Sequence, residues 1–364
     1  MDRRARRLVL AALSPFALAR RALAGTTGAA FLSNDQTPQA VAMGGSGVVA
    51  SWGSQAMGAN PANLGRMSTR MEIYTSYSAP IEGEQFGRLS AAVALGSSWI
   101  DAIGASVIGQ RIGGLIGTDS SGNQTGGTFG SGDLAASLGF SGRITDDLRY
   151  GAAVKSVRET IASYASNTAL AADAGWAYDT GVRGLSVGMS VNNAGQKIKF
   201  LDQGDDLPLT INAGAMIPLG NFTAAAALGR LVHEQQTNIS LGVSYQFGIV
   251  DLRAGYLAQT GGQGNPALRD QSGLSRAVNG VSGGVGVGFE SVRLDYAINE
   301  GAADLGLSQV VSLTIGWGAP PAAEKARPAV RTAPPPAVRP VQVRPQGNGD
   351  SSANGWYLLP DPGQ

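Results

Sequence analysis

Residues 238–256, NISLGVSYQFGIVDLRAGY, alternate apolar and polar positions with a period of two. Ile239, Leu241, Val243, Tyr245 and Phe247 take one face; Asn238, Ser240, Gly242, Ser244 and Gln246 take the other. After Gly248 the alternation resumes, with Val250, Leu252, Ala254 and Tyr256 against Asp251, Arg253 and Gly255. Successive side chains of a strand point to opposite faces, so the pattern predicts two strands joined by a tight turn. Runs of about nine to ten residues suit strands that cross a bilayer at a tilt.

From residue 70 onward the same pattern predicts fourteen strands, at 70–79, 86–95, 101–112, 132–141, 148–160, 168–178, 184–192, 209–217, 222–229, 237–247, 250–258, 280–289, 291–299 and 309–317. The connections alternate in length. Those at 113–131, 193–208 and 259–279 are long, polar and Gly-rich; those at 142–147, 179–183, 218–221 and after Phe247 are short. Short turns at one end and long loops at the other predict an all-β fold, a transmembrane antiparallel barrel with periplasmic turns and extracellular loops. A soluble sandwich has no reason to sort its loops this way. An even strand number returns both chain ends to the periplasm. Trp99, Phe140, Tyr178, Phe222, Phe247, Phe289 and Trp317 all fall beside the short turns, where a periplasmic-side aromatic girdle belongs.

Composition fits this reading. The chain holds 53 Gly in 364 residues, 15% charged residues and a net charge of +1, against roughly 7% Gly and about 25% charge in soluble domains. Mean hydropathy is +0.01, as alternation of apolar and small polar residues requires. The charge balance leaves no basic footprint for nucleic acid. The absence of Cys removes disulfides, thiol metal sites and an acylated lipoprotein Cys, and the single His233 excludes a multi-His metal centre. No cofactor is expected.

Three segments depart from the alternation. In residues 1–24, Arg3, Arg4, Arg6 and Arg7 precede an apolar run at 8–19, and Ala22-Leu23-Ala24 supplies a cleavage pattern. This reads as a secretory signal peptide, too short for a membrane helix. The RRLVL run suggests twin-arginine export, but that route carries folded cargo and does not suit a barrel precursor. No later window offers about 18 uninterrupted apolar residues. Residues 25–69 are rich in small residues, with Asn60, Pro61 and Ala62 as the clearest punctuation; Pro61 drives Asn60 out of the helical region, so a turn is expected. This segment is either a loose linker or a plug that folds into the barrel mouth. Residues 319–364 begin with a Pro- and Ala-rich stretch carrying Lys325, Arg327, Arg331, Arg339 and Arg344 against Glu324 alone, and end near Trp356-Tyr357-Leu358-Leu359. They predict a disordered, polyproline-like periplasmic arm, either untethered or docking on a partner or the cell wall.

An ordered series of short motifs resembles the PorV/PorQ family, whose barrels are similar to FadL-type channels. It comprises Gly28-Ala29-Ala30-Phe31-Leu32, Ala42-Met43-Gly44-Gly45, Asn60-Pro61-Ala62-Asn63-Leu64 and Asn193-Ala194-Gly195-Gln196-Lys197-Ile198-Lys199-Phe200. Further on come Leu252-Arg253-Ala254-Gly255-Tyr256, Gly273-Leu274-Ser275, Asp295-Tyr296-Ala297 and the final strand from Ser308. The resemblance implies a fourteen-stranded outer-membrane barrel with an N-terminal segment near or inside its lumen. From PorV-like members it implies work beside protein secretion machinery; from FadL-like members, passage of hydrophobic molecules. Ser51-Trp52-Gly53-Ser54 stands where the family often has an acidic pair, and the Pro-rich tail is an addition.

The charges follow from the faces. A lipid-facing Arg or Lys at mid-depth costs about 2–4 kcal/mol, so Asp251 and Arg253 on the eleventh strand and Arg293 and Asp295 on the thirteenth are expected to face the lumen. They either pair with one another or with the plug, or form a polar constriction that orients a ligand. Catalysis has little to work with: His233 sits towards a predicted extracellular loop and no G-x-S-x-G occurs. The G-x-G-x-G spacing in residues 283–288 lies within a strand and opens no helix, so its glycines are read as making room inside the barrel. Asp202, Asp205 and Asp206 lack calcium-loop spacing and are read as solvated. Two functions therefore stand side by side: a non-enzymatic component associated with exported proteins or secretion machinery, and a channel for hydrophobic or amphipathic small molecules. A purely structural membrane protein is the third. The expected surroundings are outer-membrane lipid.

Overall fold

The computed structural model describes residues 27–34, 37–79, 83–97, 99–118, 123–200, 203–261, 280–300 and 307–321. The signal-peptide stretch, Asp202, the Gly273-Leu274-Ser275 motif and the arm beyond residue 321 lie outside these residues.

All fourteen expected strands are present. They are β1 Met71–Ser78, β2 Glu84–Ala94, β3 Ala102–Thr118, β4 Gln124–Arg143, β5 Leu148–Ile161, β6 Ala169–Asp179 and β7 Ser186–Gly195. The second half comprises β8 Thr210–Leu219, β9 Phe222–Leu231, β10 Gln236–Phe247, β11 Val250–Gly261, β12 Val281–Phe289, β13 Val292–Glu300 and β14 Leu307–Trp317. Each pairs antiparallel with its neighbours in chain order, and β1 closes on β14 from Met71↔Trp317 to Ser78↔Val310. Closure leaves no unpaired edge, the condition a sheet must meet to span lipid.

The faces fall as the alternation predicts. Leu138, Val154, Leu228, Leu241, Leu252 and Leu294 project outward and are each more than half exposed, whereas Ser106, Ser190, Ser240, Ser282 and Ser312 point inward and are buried. So broad an apolar exterior marks a surface covered by lipid. Trp99, Tyr178, Phe222, Phe247, Phe289 and Trp317 stand exposed at the short-turn end, with Phe140 half-buried beside them. Both the start of β1 and the end of β14 lie at that end.

The loop end departs from expectation in three places. Residues 113–118 and 124–131 are strand, not loop: β3 and β4 run on through Leu115↔Phe129, Ile116↔Thr128 and Thr118↔Gln124, with register shifts on the way. Backbone pairing persists there although no lipid imposes an apolar face, so alternation disappears while the strands continue. Within the predicted loop 193–208, Ile198–Phe200 pairs with Gln203–Asp205. Finally, Val232–Gln235 makes a four-residue turn at this end, so long loops are a tendency of the end, not a rule.

Candidate functional site

The interior is occupied by the N-terminal segment. Its short helical turns visit the wall in sequence: Pro38–Ala42 lies against β11–β14, Gly47–Ala50 against β7–β9, Gly53–Gly58 against β1–β3 and Pro61–Gly65 against β3–β6. A chain that touches strands all round a closed barrel is inside it. Two of the turns begin alike. Thr37 caps the first, accepting from the Ala40 amide at 3.2 Å, with Pro38 as the first helical residue. Asn60 caps the last, accepting from the Ala62 amide at 3.1 Å, with Pro61 following. A side-chain oxygen satisfies an otherwise orphaned N–H, and Pro costs nothing where no N–H is needed.

Asn60 does more than cap. Fully buried, its amide donates to the Val48 and Trp176 carbonyls, both at 3.1 Å, tying the segment to itself and to β6. Met43-Gly44-Gly45 makes the tightest contact with the wall. Gly44 and Gly45 have φ of +69° and +90°, a conformation open to glycine at little cost, and the turn rests directly on Gly242 and Gly255, which face each other across β10 and β11. The motif residues Asn60, Pro61 and Ala62 thus seat this segment, and the loose-linker alternative does not describe residues 37–65.

At the loop end the lumen is apolar on one side. Phe31 and Leu32 are buried with Phe86, Ile108, Val157, Ile198 and Leu207 and the alanines Ala135, Ala169 and Ala171. Polar anchors hold residues 27–29 across this mouth. Thr27 Oγ1 donates to Glu234 Oε1 at 2.6 Å, the Gly28 amide to the Asp206 carbonyl at 2.9 Å and the Ala29 amide to Glu159 Oε1 at 2.9 Å. A water-filled porin lumen is polar; this one presents an apolar cluster that takes the aromatic side chain of Phe31.

The four predicted lumen charges meet in a closed ring. Arg253 donates to Asp295 Oδ1 at 2.7 Å and to Asp251 Oδ2 at 3.3 Å; Arg293 donates to Asp295 Oδ2 at 2.9 Å and to Asp251 Oδ2 at 2.5 Å. Gly286 of β12 faces the ring, and a Cβ there would overlap Asp295 and Arg293. Room-making is therefore the role of this glycine in the G-x-G-x-G run. Arg253 and Asp295 are buried, and each is satisfied within the ring.

Sequence reasoning did not single out other inward charges. Lys155 of β5 bonds Asp173 of β6 at 2.8 Å and Asn193 Oδ1 at 2.7 Å, all three buried. Glu72 of β1 accepts from the Ser54 amide at 2.8 Å and from its hydroxyl. Inward parity, which Lys155 shares with Ala153 and Val157, is the signal that marks them. A hollow of about 590 Å³ lined by Ile217, Ala226, Leu241, Val243 and Tyr256 lies on the outward face, away from all of these.

No family model matches the sequence, and no curated protein sequence matches it. Solved structures do. The toluene transporter TodX of Pseudomonas putida superposes with a TM-score of 0.54 at 16% identity, covering 78% of this chain and 99% of its own. The toluene transporter TbuX of Ralstonia pickettii gives 0.51 at 14% identity, covering 78% and 99%. A FadL homologue of Pseudomonas aeruginosa gives 0.52 at 12% identity, covering 77% and 97%. Likeness at this identity is likeness of fold. The chain has the FadL-like fold, a closed fourteen-stranded antiparallel barrel of the outer-membrane type.

Proposed function

We propose that this protein is an outer-membrane channel for hydrophobic or amphipathic small molecules, monoaromatic hydrocarbons among them. The short-turn end faces the periplasm and the outer-membrane lipid surrounds the apolar belt. One observation carries the reading: the loop-end lumen is an apolar cluster in which Phe31 and Leu32 of the inner segment hold the place an apolar ligand would take. Exchange of one apolar group for another keeps the cluster dry, so a ligand loses little by entering and gains transfer from water at about 25 cal/mol per Å² of apolar surface buried. The inner segment fills the barrel below that point, so onward passage requires it to shift.

The fold shared with the toluene transporters supports this reading better than the secretion-associated one implied by the PorV/PorQ resemblance. Of the motifs behind that resemblance, Met43-Gly44-Gly45 and Asn60-Pro61-Ala62 are engaged in seating the inner segment. Structure determination with a brominated monoaromatic hydrocarbon tests the channel reading. The account expects halogen density among Phe31, Phe86, Val157 and Ile198; density confined to the outer belt contradicts it. Co-purification of exported proteins with the detergent-extracted chain, and no ligand in the lumen, would favour the secretion reading instead.

A further inference from the structure

Where residues 65–66 leave the lumen at the short-turn end, three arginines meet two carboxylates. Arg149 of β5 donates to Asp101 Oδ2 at 2.8 Å, and Arg143 Nε of β4 lies 3.6 Å from the same oxygen. Arg66 donates to Asp179 Oδ1 of β6 at 2.6 Å. The two pairs are contiguous, because the Asp101 carboxylate takes the space a Cβ on Gly65, the residue before Arg66, would need. Three guanidiniums against two carboxylates leave this set with a charge of +1. Asp146 and Asp147 on the adjoining turn are exposed; Asp146 has a partner of its own, and Asp147 is screened by solvent and salt.

Three of the four carboxylate oxygens in the set accept hydrogen bonds within the chain. Asp101 Oδ1 accepts from Ser141 Oγ, and Asp179 Oδ1 accepts from Ser186 Oγ at 2.9 Å as well as from Arg66. The donors are in surplus. The Nε atoms of Arg66, Arg143 and Arg149 are all buried without a hydrogen-bond partner, and 3.6 Å is too long to count Asp101 as bonded to Arg143. The Arg143 side chain is only 9% exposed, while Arg66 and Arg149, at 18% and 17%, keep the set in contact with the rim. Buried polar groups are almost always hydrogen-bonded, so three unpaired guanidinium donors in one set point to an acceptor not supplied by the chain. The ring of Asp251, Arg253, Arg293 and Asp295 is the contrast: two arginines, two carboxylates, both arginines bonded twice.

We propose that Arg66, Arg143 and Arg149 form a binding site for one oxyanion at the short-turn rim of the lumen, taken as a phosphate group either free or on an amphiphile. The planar, permanently charged guanidinium fork matches the paired oxygens of such a group. The site does not depend on the channel reading; it stands on the surplus of buried donors alone.

The test is calorimetric titration of the full chain in neutral detergent with inorganic phosphate, hexyl phosphate and hexanol. Saturable binding of a phosphate species at one per chain is expected, weakening with salt, and hexanol is not expected to compete. Arg143→Gln should weaken it at least tenfold. Asp101→Asn removes the competing carboxylate and keeps every cation, so it should tighten binding severalfold, a gain that misfolding cannot produce. Binding of inorganic phosphate identifies a free-ion site; binding of hexyl phosphate alone identifies a headgroup site. Absence of saturable binding by either, or affinities unchanged in both variants, overturns the proposal. A chain that passes hydrocarbons but fails this titration refutes the oxyanion site and leaves the channel reading intact.

Discussion

Gly255 of β11 and Gly44 of the inner segment meet backbone to backbone: a Cβ on Gly255 would overlap the Gly44 amide nitrogen and lie 2.5 Å from the Met43 carbonyl carbon. The wall and its contents are thus fitted to each other at a point where neither can grow. Gly255→Val is expected to unseat residues 42–45 while the strand itself tolerates the change, since Val favours strands. Overpacking of this kind costs about 1–3 kcal/mol. Limited proteolysis of the detergent-extracted variant should cut within residues 37–66, where the parent chain resists, and single-channel conductance should rise.

Asn60 should be sensitive to charge as well as to size. Asn60→Ala removes the cap on Ala62, a loss of about 0.5–2 kcal/mol, and takes one donor each from the Trp176 and Val48 carbonyls, the latter keeping Asn63 Nδ2 at 3.1 Å. Asn60→Asp keeps the cap but turns a donor towards the Val48 and Trp176 carbonyls into an acceptor. The account expects Asn60→Asp to be no better tolerated than Asn60→Ala, measured as protease resistance of the inner segment. A benign Asn60→Asp would show that the two donated bonds contribute nothing.

The buried ring predicts an asymmetry. Asp295→Ala leaves Arg253, whose side chain is 2% exposed, with only the longer 3.3 Å bond to Asp251; loss of one partner from a buried pair costs about 3–5 kcal/mol. Asp251, at 17% side-chain exposure, can be replaced with a smaller loss because water reaches its partner Arg293, at 29%, and Arg253 keeps Asp295. Joint replacement by Arg253→Met and Asp295→Leu should recover most of the stability lost in Asp295→Ala. Urea midpoints of the reconstituted barrel read out all three.

On the outer face, depth sets the penalty. Leu241→Arg near mid-strand should cost about 2–4 kcal/mol and Phe247→Arg at the short-turn end about 0–1 kcal/mol, although Phe247 is the more exposed, at 70% against 52%. Equal effects in a bilayer would place the apolar belt elsewhere.

Strands and faces were legible because lipid outside and packing inside force every residue from Ile239 to Phe247 to alternate. The hairpin beyond Ile112 was illegible for the complementary reason. Residues 113–118 and 124–131 stand outside that constraint, and Leu115 with Phe129, Ile116 with Thr128 and Thr118 with Gln124 pair there across register shifts that break the alternation. Asp251, Arg253, Arg293 and Asp295 were legible because charges in a strand must face inward, and their pairing with one another follows from the register of neighbouring strands. Arg143 and Arg149 escaped notice at strand ends, where a charge reads as an interface residue. The packing of the inner segment was the least legible. Contacts such as Gly44 on Gly255 are made by backbone, and neither glycine signals its partner.

The central claim is that hydrophobic molecules pass this lumen by displacing the residues at its mouth. A cross-link tests it directly, because the native chain has no cysteine. A Cβ on Gly28 would lie 3.3 Å from the Asp205 Cβ, close to the separation a disulfide spans, about 3.5–4.5 Å. The measurement is the initial rate of labelled toluene uptake by cells carrying Gly28→Cys/Asp205→Cys, oxidised and reduced. The account predicts uptake above channel-free cells when reduced and loss of that increment when oxidised. Equal rates in the two states, or no increment over channel-free cells with the parent chain, would contradict it.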